Sequence, residues 1–517
     1  MAMRITTKMM QNTSLNNLNT NKTLQEKLTT QMSTMKKITR PSDDPVIAIR
    51  SLKLNSSLDK IDQYYEKNTE DAESWLTLTE SAIDTTEKIL TSMRQYIVQA
   101  SQGHLDTDDR AAILQNLTNF KNEIYSTGNA DSAGRMLFTG YRTDTPLTFK
   151  EDNEDTYTIT EQRTNLILDT TTYISKINEM AGINEGNFAS NDKKDLTEYD
   201  VESKTIPRIR LAYSDLDENS NVKLSYIGSD GNEKFLNVTS KFATGTDAAY
   251  ESVIGDNNKN AITYIASTGE LLLGSDIQKE LSELPLDAEI RITYDKTDWK
   301  SGDLNPIHYF YTERKDNNGN VIKYNPEKLS DDVKDQTAAD QVIEYDIGSN
   351  QTIRVNTTAD EVFTHDIGRD VDEVVSMLNS YSSLLETRDK IKALKDSGKY
   401  EGDDLELLTK QYEALDKECT LTKDRVQKNC EGMLTSFDGY IKNTALAQTD
   451  VGARESRLQL IQNRLSSQQT NFEELVSENE DADITQLAID LSSVQLTYQA
   501  ALSSISYVMK TTLLDFI

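Results

Sequence analysis

Two adjacent carboxylates, Asp43 and Asp44, stand in the run Thr39-Arg40-Pro41-Ser42-Asp43-Asp44-Pro45, and neighbouring carboxylates are raw material for general acid–base catalysis. Their setting points elsewhere. Ser42, Asp43 or Asp44 can cap a helix that opens with Pro45 at its first position, and acidic side chains suit the positive end of a helix. The segment is therefore expected to be a structural corner. Asp215, Asp217, Asn219 and Asn221 have the spacing with which a calcium loop begins. Ser220 stands where that loop turns on Gly and Tyr226 where it needs a bidentate Glu, so no metal is expected there.

Three histidines (His104, His308, His365) and two cysteines (Cys419, Cys430) leave little material for a metal cage, thiol redox chemistry or a histidine-based triad. On one helix the two cysteines would lie about 16 Å apart at 1.5 Å per residue, beyond disulfide reach, and they are read as reduced. His308, in Ile307-His308-Tyr309-Phe310, reads as part of a strand. The chain has no Gly-rich phosphate loop, zinc spacing or Gly-x-Ser-x-Gly elbow. No catalytic residue, metal or cofactor is expected.

Charge narrows the partners. Asp and Glu number 86 against 55 Lys and Arg, a formal charge of −31 that repels phosphate and argues against nucleic-acid binding. No apolar run approaches the roughly 18 residues a membrane helix needs. Met1 to Met10 has neither a basic n-region nor an apolar h-region, so an extracellular location would require export without a cleaved signal peptide.

With seven prolines in 517 residues, the elements that carry these side chains are expected to be long helices. Leu54, Leu58, Ile61, Tyr65, Asn68, Ala72, Trp75, Thr79, Ala82, Thr86, Ile89, Met93 and Tyr96 alternate spacings of four and three without a slip. Such a seam needs a partner helix of similar length, with Tyr65 and Trp75 in its core and Asn68, Thr79 and Thr86 fixing register. A second helix after Asp106 carries Ile113, Leu117, Phe120 and Ile124, as one arm of an antiparallel hairpin. Downstream, Leu405 to Met433 repeats the seam and Val451 to Leu465 resumes it in shifted register, which reads as a stutter near Gly439.

Both extremities carry amphipathic stripes. Leu15, Leu18, Leu24, Leu28 and Met32 mark the first, and Ile484, Leu487, Leu491, Val494, Tyr498, Ala501, Ile505 and Val508 the second. These residues are the expected assembly surface, unfolded until neighbours supply partners. Between about Phe149 and Val362 the period drops to two, as in Ile290-Ile292-Tyr294 and Ile353-Val355, with turn clusters at Gly228–Asn232 and Asp316–Asn320.

The expected fold is mainly α with a β-rich insertion. It is an elongated, discontinuous helical rod of paired N- and C-terminal coiled-coil helices, with a central strand-rich domain at the far end. The expected division is 1–40 with 483–517 as terminal assembly helices, 41–145 with 370–482 as the rod, and 146–369 as the inserted domain.

Several local sequences resemble the flagellin superfamily: Arg4-Ile5-Thr6-Thr7, the Thr39–Val46 corner, Leu137-Phe138-Thr139-Gly140, Asp450-Val451-Gly452-Ala453-Arg454, and Thr497–Leu502 running to Leu513-Leu514-Asp515-Phe516-Ile517. The resemblance covers about 1–145 and 400–517. Within the superfamily, the closing residues and Gly134-Arg135-Met136-Leu137-Phe138-Thr139-Gly140-Tyr141 are more similar to members that join hook to filament than to filament flagellin. The family pattern makes Arg40, Pro41, Ser42, Asp43, Asp44, Pro45, Gly452, Ala453 and Arg454 structural motif residues.

The resemblance implies a flagellar structural protein, exported through a narrow channel and assembling outside the cell. The partners it implies are a hook-side junction protein, flagellin subunits, copies of itself in a ring, and an export chaperone before secretion. Filament flagellin is the alternative, and a surface enzyme or adhesin using the insertion is a third reading. One departure is Met32-Ser33-Thr34-Met35-Lys36-Lys37-Ile38, where relatives carry a Ser-Gly-Lys-Arg-Ile type run; the cysteines are another.

Overall fold

The computed structural model describes residues 7–102, 105–194, 196–227, 232–285, 288–316, 319–329 and 341–514. Arg4, Ile5, Thr6, His104, the Gly228–Gly231 turn and Asp515–Ile517 lie outside them, as do the side chains of 507–514. The chain is mainly helical with a strand-rich centre.

Its long helices are α1 (Thr7–Thr34), α2 (Pro45–Asp62), α3 (Thr69–Ser101), α4 (Thr107–Thr127), α9 (His365–Asp396), α10 (Asp403–Glu480) and α11 (Ile484–Leu514), with short helices α5 (Ile177–Ala181), α6 (Asp247–Glu251), α7 (Ser275–Ser282) and α8 (Ala359–Val362) between. Two units emerge from its contacts. The first comprises Met1–Ala72, Tyr345–Ile353 and Ser456–Ile517, and the second Glu73–Glu344 and Arg354–Glu455.

In the first unit the two halves of the chain pair. Ser51 meets Glu480 and Asp62 meets Gln469, equal steps along antiparallel helices. Asn68, expected in a seam, instead donates from Nδ2 to the Asp346 carbonyl at 2.7 Å. The seam is interrupted here: Gln63–Asn68 forms a π turn. The wider turn rotates the following face, so Thr69 is the buried residue and Tyr65 and Asn68 are half-buried.

In the second unit, Thr77 meets Glu455 and Arg94 meets Asp438, again equal steps on antiparallel helices. Trp75, Thr79, Ala82, Thr86, Ile89 and Met93 are buried as the spacing demands. A second column, Leu76, Ile83, Leu90 and Ile97, is buried as completely, so α3 presents a face wider than a two-helix seam and meets more than one neighbour. Thr79 and Thr86 donate their hydroxyls to the carbonyls of Trp75 and Ala82. These buried hydroxyls are satisfied within their own helix instead of across a seam.

The change of register in α10 falls between Thr422 and Cys430, not near Gly439. Leu408, Leu415 and Thr422 are buried in one phase, and Val426, Cys430, Met433 and Phe437 in the next. Both cysteines are buried free thiols, and burial pushes each up to about 12, which leaves them unreactive. Helix α4 buries Ile113, Leu117 and Ile124 and lies along α9, while Phe120 reaches Tyr96 of α3 with ring centroids 5.8 Å apart.

The strand-rich part of this unit opens with the two-residue strands β1 (Asp131–Ser132) and β2 (Arg135–Met136). It continues with β3 (Thr156–Arg163), β4 (Leu168–Ile174), β5 (Ser203–Arg210), β6 (Lys223–Ile227), β7 (Glu233–Leu236), β8 (Ser240–Phe242), β9 (Ile262–Ile265), β10 (Glu270–Leu273), β11 (Ile290–Lys296), β12 (Tyr311–Lys315) and β13 (Val321–Tyr324). One sheet runs β13-β12-β3-β11-β6-β7 and another β4-β5-β10-β9-β8, the latter with β8 and β9 parallel.

Ile290, Ile292 and Tyr294 alternate into the core, as their period predicts. Asp316 and Gly319 close the β12–β13 hairpin. The β9–β10 connection turns on Gly269, where φ is +60° and a Cβ would sit 2.0 Å from the Tyr213 carbonyl oxygen, so only glycine fits. Strands β14 (Glu344–Gly348) and β15 (Gln351–Arg354) form a separate pair.

His308 corrects the strand reading. It ends a tight 3-10 turn over Pro306–His308, with the Asn305 side chain accepting from the Ile307 N–H at 3.3 Å. Pro306 has a fixed φ and no N–H to give a ladder, which favours the turn. His308 is buried with Nε2 3.0 Å from the Pro146 carbonyl, and burial draws its pKa down to about 4. His365, at the start of α9, sits 2.8 Å from the Tyr213 hydroxyl inside a cluster of rings, and burial holds it well below the ordinary histidine range. The strands and α9 are tied by Arg208 and Arg210 of β5, which reach Glu270 of β10 and Glu373 and Asp370 of α9.

Candidate assembly interface

Helix α1 is rich in Thr and Asn, which are mediocre helix formers. Thr13, Thr20, Thr23 and Thr30 donate back to the carbonyl four residues earlier at 2.8–2.9 Å. Satisfying a hydroxyl this way adds nothing to helix stability, so α1 depends on burying a face. Its partner is α11, the other end of the chain. Asp483 starts that helix, its Oδ1 accepting from Thr485 N at 2.9 Å and Gln486 N at 3.1 Å.

A short crossing joins the two ends. Lys37 N donates to Glu480 O at 2.6 Å, Ala482 N to Met35 O at 2.9 Å, and Lys36 Nζ reaches Asp481 at 2.7 Å and Glu480 at 3.1 Å. Lys36 and Asp481 form an antiparallel bridge. The chain can turn into this crossing only because Met35, just past the last residue of α1, adopts φ +57°. That is the left-handed position where glycine normally ends a helix. A side chain there costs about 1 kcal/mol. Met35→Gly should therefore raise the unfolding free energy of the first unit by about that amount. Denaturant titration would check it, and no gain would rule out the strain.

Next comes the corner. Asp44 caps α2, its Oδ1 accepting from Val46 N at 2.9 Å and Ile47 N at 3.2 Å, with Pro45 at the first position. Asp43 ties the loop, accepting from Arg40 N at 2.9 Å and from Thr39 N at 3.2 Å. Those backbone donors, Arg40 first, lower its pKa. Each of the two carboxylates is thus occupied with backbone N–H groups. In the second motif, Arg454 donates from Nη1 to the Asn356 carbonyl at 2.9 Å and pairs with Asp450. A Cβ on Gly452 would meet nothing within 4 Å, and Ala453 is exposed.

The terminal stripes divide into two faces. Leu28 and Leu487 are buried. Leu18 and Met32 of α1, with Leu491, Val494, Tyr498, Ala501 and Ile505 of α11, are half-buried where the two helices pack together. Leu15, Leu24 and Ile484 stay exposed, and the Val508 side chain lies outside the described residues.

The sequence reading missed a second set. Ile489 and Leu496 of α11 are 58% and 68% exposed. Val46, Ile49 and Leu52 of α2 form another outward row. Ile489 and Leu496 are seven apart, two turns on one face. A solitary exposed Leu is ordinary, whereas aligned rows mark a surface that meets a partner. Sequence spacing alone held this signal: Ile489 and Leu496 stand seven apart, off the stripe that runs from Ile484 to Val508.

Among the described residues no helix is long and apolar enough to cross a membrane, and no group of His, Cys, Asp and Glu is placed to hold a metal ion.

Comparison with known proteins places both ends of the chain. Residues 5–143 match the bacterial flagellin N-terminal helical region, and residues 434–517 match the bacterial flagellin C-terminal helical region. Flagellar hook-associated protein 3 of Salmonella typhimurium is 32% identical over 143 residues, and that of Escherichia coli 31% over 144 residues. Each alignment covers 28% of this chain and 45% of the relative, so the chain spans about half the length of the curated relatives it matches. A crystal structure of flagellar hook associated protein-3 from Legionella pneumophila aligns with 82% of this chain and 97% of its own at 11% identity, with a TM-score of 0.29.

Proposed function

We propose that this chain, whose two ends match the N- and C-terminal helical regions of the bacterial flagellins, is a structural component of the flagellum that joins hook to filament. The observation that carries the reading is the α1–α11 pair: opposite ends of the polypeptide close on one another and leave a row of apolar side chains facing out. Relatives named flagellar hook-associated protein 3 support the junction role over filament flagellin.

In this reading the terminal helices 1–40 and 483–517 make the assembly contacts, 41–145 with 370–482 supports them, and 146–369 faces outward. The inner stripe, Leu487 to Ile505 with Leu18, Leu28 and Met32, closes the subunit on itself. The outer row of α11 is covered by the neighbour. Contacts of this head-to-tail kind propagate around a ring or tube. Each Leu or Ile covered contributes about 1.5–3 kcal/mol. The neighbours are copies of the same chain, a hook-side junction protein and flagellin subunits. Before export the same row would seat a helical chaperone.

Deleting the gene is expected to leave cells with hooks that shed monomeric filament protein into the medium. Supplying Ile489→Ser with Leu496→Ser should not restore filaments, although the purified double variant keeps its helix content, because both side chains are already in water in the free chain. Filaments on cells carrying that variant would rule out this row as the contact. If the wild-type chain polymerised by itself into long filaments, the flagellin reading would replace the junction reading.

A further inference from the structure

A cavity of about 620 Å³ lies within the second unit, walled by β4, β5 and α6 on one side and α9 and α10 on the other. Four guanidinium groups line it, Arg208, Arg210, Arg369 and Arg425, together with the carboxylates of Asp247, Glu270, Asp372 and Glu373. Arg208 and Arg210 are consumed by the carboxylates of Glu270, Glu373 and Asp370.

The other two are not. Arg369 donates from Nη2 to the Thr268 carbonyl, and Arg425 from Nη1 to the Thr172 carbonyl at 3.3 Å. Among the described residues neither has a carboxylate within 4 Å, and the Nε of each is buried without an acceptor. On the opposite wall, the Tyr173 hydroxyl and Asp247 Oδ1 have no well-aligned hydrogen bond.

Arg369 and Arg425 each keep one buried N–H without an acceptor, a costly feature in a fold, and both side chains line one cavity. Water can accept a hydrogen bond but brings no counter-charge. The volume matches that of small-ligand sites. Guanidinium groups are suited to carboxylate or phosphate oxygens, and Asp247 Oδ1 offers an acceptor for a ligand hydroxyl. We propose that this cavity binds a small hydroxylated oxyanion, the chemistry shared by sugar acids and sugar phosphates, with Arg369 and Arg425 holding the anionic group and Asp247 a hydroxyl. The inference is independent of the assembly reading, which concerns the first unit.

The test is calorimetric titration of the purified whole chain at constant ionic strength with glucuronate, glucose 6-phosphate and glucose. At least one of the two anions should bind saturably below about 10 mM, with glucose at least about tenfold weaker, since each tenfold step in affinity corresponds to about 1.4 kcal/mol. Whichever anion binds identifies the source. Arg425→Gln and Arg369→Gln should each weaken it at least about tenfold, the scale of one charge-assisted contact. If a Gln variant does not fold, Arg425→Lys replaces it: the charge is kept but the planar fork is lost, and weakening is still expected. No binding by either anion, glucose binding as tightly as the anions, or unchanged affinity in the folded variants would overturn the assignment.

Discussion

Glu418→Gln should stabilise the second unit at pH 8.5 by about 3–5 kcal/mol and leave it nearly unchanged near pH 4.5. Glu418 lies on α10, fully buried, with both carboxylate oxygens lacking a hydrogen-bond partner. Burial pushes its pKa up to about 8, with Arg425 opposing weakly and Asp247 adding to the rise.

The sign follows from where the proton sits. The unfolded chain releases it near pH 4.5, the ordinary value for a glutamate, while the folded chain keeps it up to about 8. Between those values the folded state binds more protons than the unfolded state, so stability falls as pH rises. At about 1.4 kcal/mol per pH unit, a window of this width amounts to roughly 5 kcal/mol as an upper bound, and Gln removes the titration. Calorimetric unfolding of both proteins from pH 4.5 to 9 measures the difference. A gap that does not widen with pH would mean that Glu418 is ionised in the fold.

His308 should act in the opposite direction. With its folded pKa drawn down to about 4, it takes up its proton in the unfolded chain first, so its contribution is lost as pH falls from about 6.5 to 4.

Arg208→Met is expected to destabilise the second unit by about 3–5 kcal/mol, the usual cost of stripping one member from a buried charge network. Arg208 is 5% exposed and holds Glu373 through both oxygens at 2.8 and 2.9 Å, Asp169 at 2.9 Å, and Glu270. Burial pushes the Glu373 carboxyl up, but Arg208 and Arg210 outweigh it and its pKa is lowered. Without Arg208, Glu270 is left buried and Glu373 keeps only Arg210.

The variant can be rescued, because the damage lies in the orphaned carboxylates. Arg208→Met combined with Glu270→Gln should recover part of the loss, since a buried amide costs less than a buried charge. Denaturant titration of both variants decides it. A double variant no more stable than the single one would show that the contribution of Arg208 is packing instead of charge.

Part of each unit was legible in the residues. Asp44 before Pro45 caps a helix because one carboxylate can satisfy two backbone N–H groups, and that requires only local geometry. The heptad spacing of Ala72 to Met93 fixed one buried face, and the two ends of the chain were expected to lie together, as Lys36 and Asp481 do. The alternation at Ile290 to Tyr294 identified a half-buried strand in the same way.

The rest required the assembled chain. A helical period says which residues share a face but not how many neighbours that face meets, so Leu76, Ile83, Leu90 and Ile97 were invisible as core. The π turn at Gln63–Asn68 left no mark in the spacing. Pairing of strands far apart in the sequence, the placing of Arg208 against Glu373, and the isolation of Glu418, Arg369 and Arg425 all depend on segments hundreds of residues apart converging. Local patterns set by the backbone repeat were therefore readable in advance, whereas charge burial and partner choice were decided only when distant segments excluded water from one another.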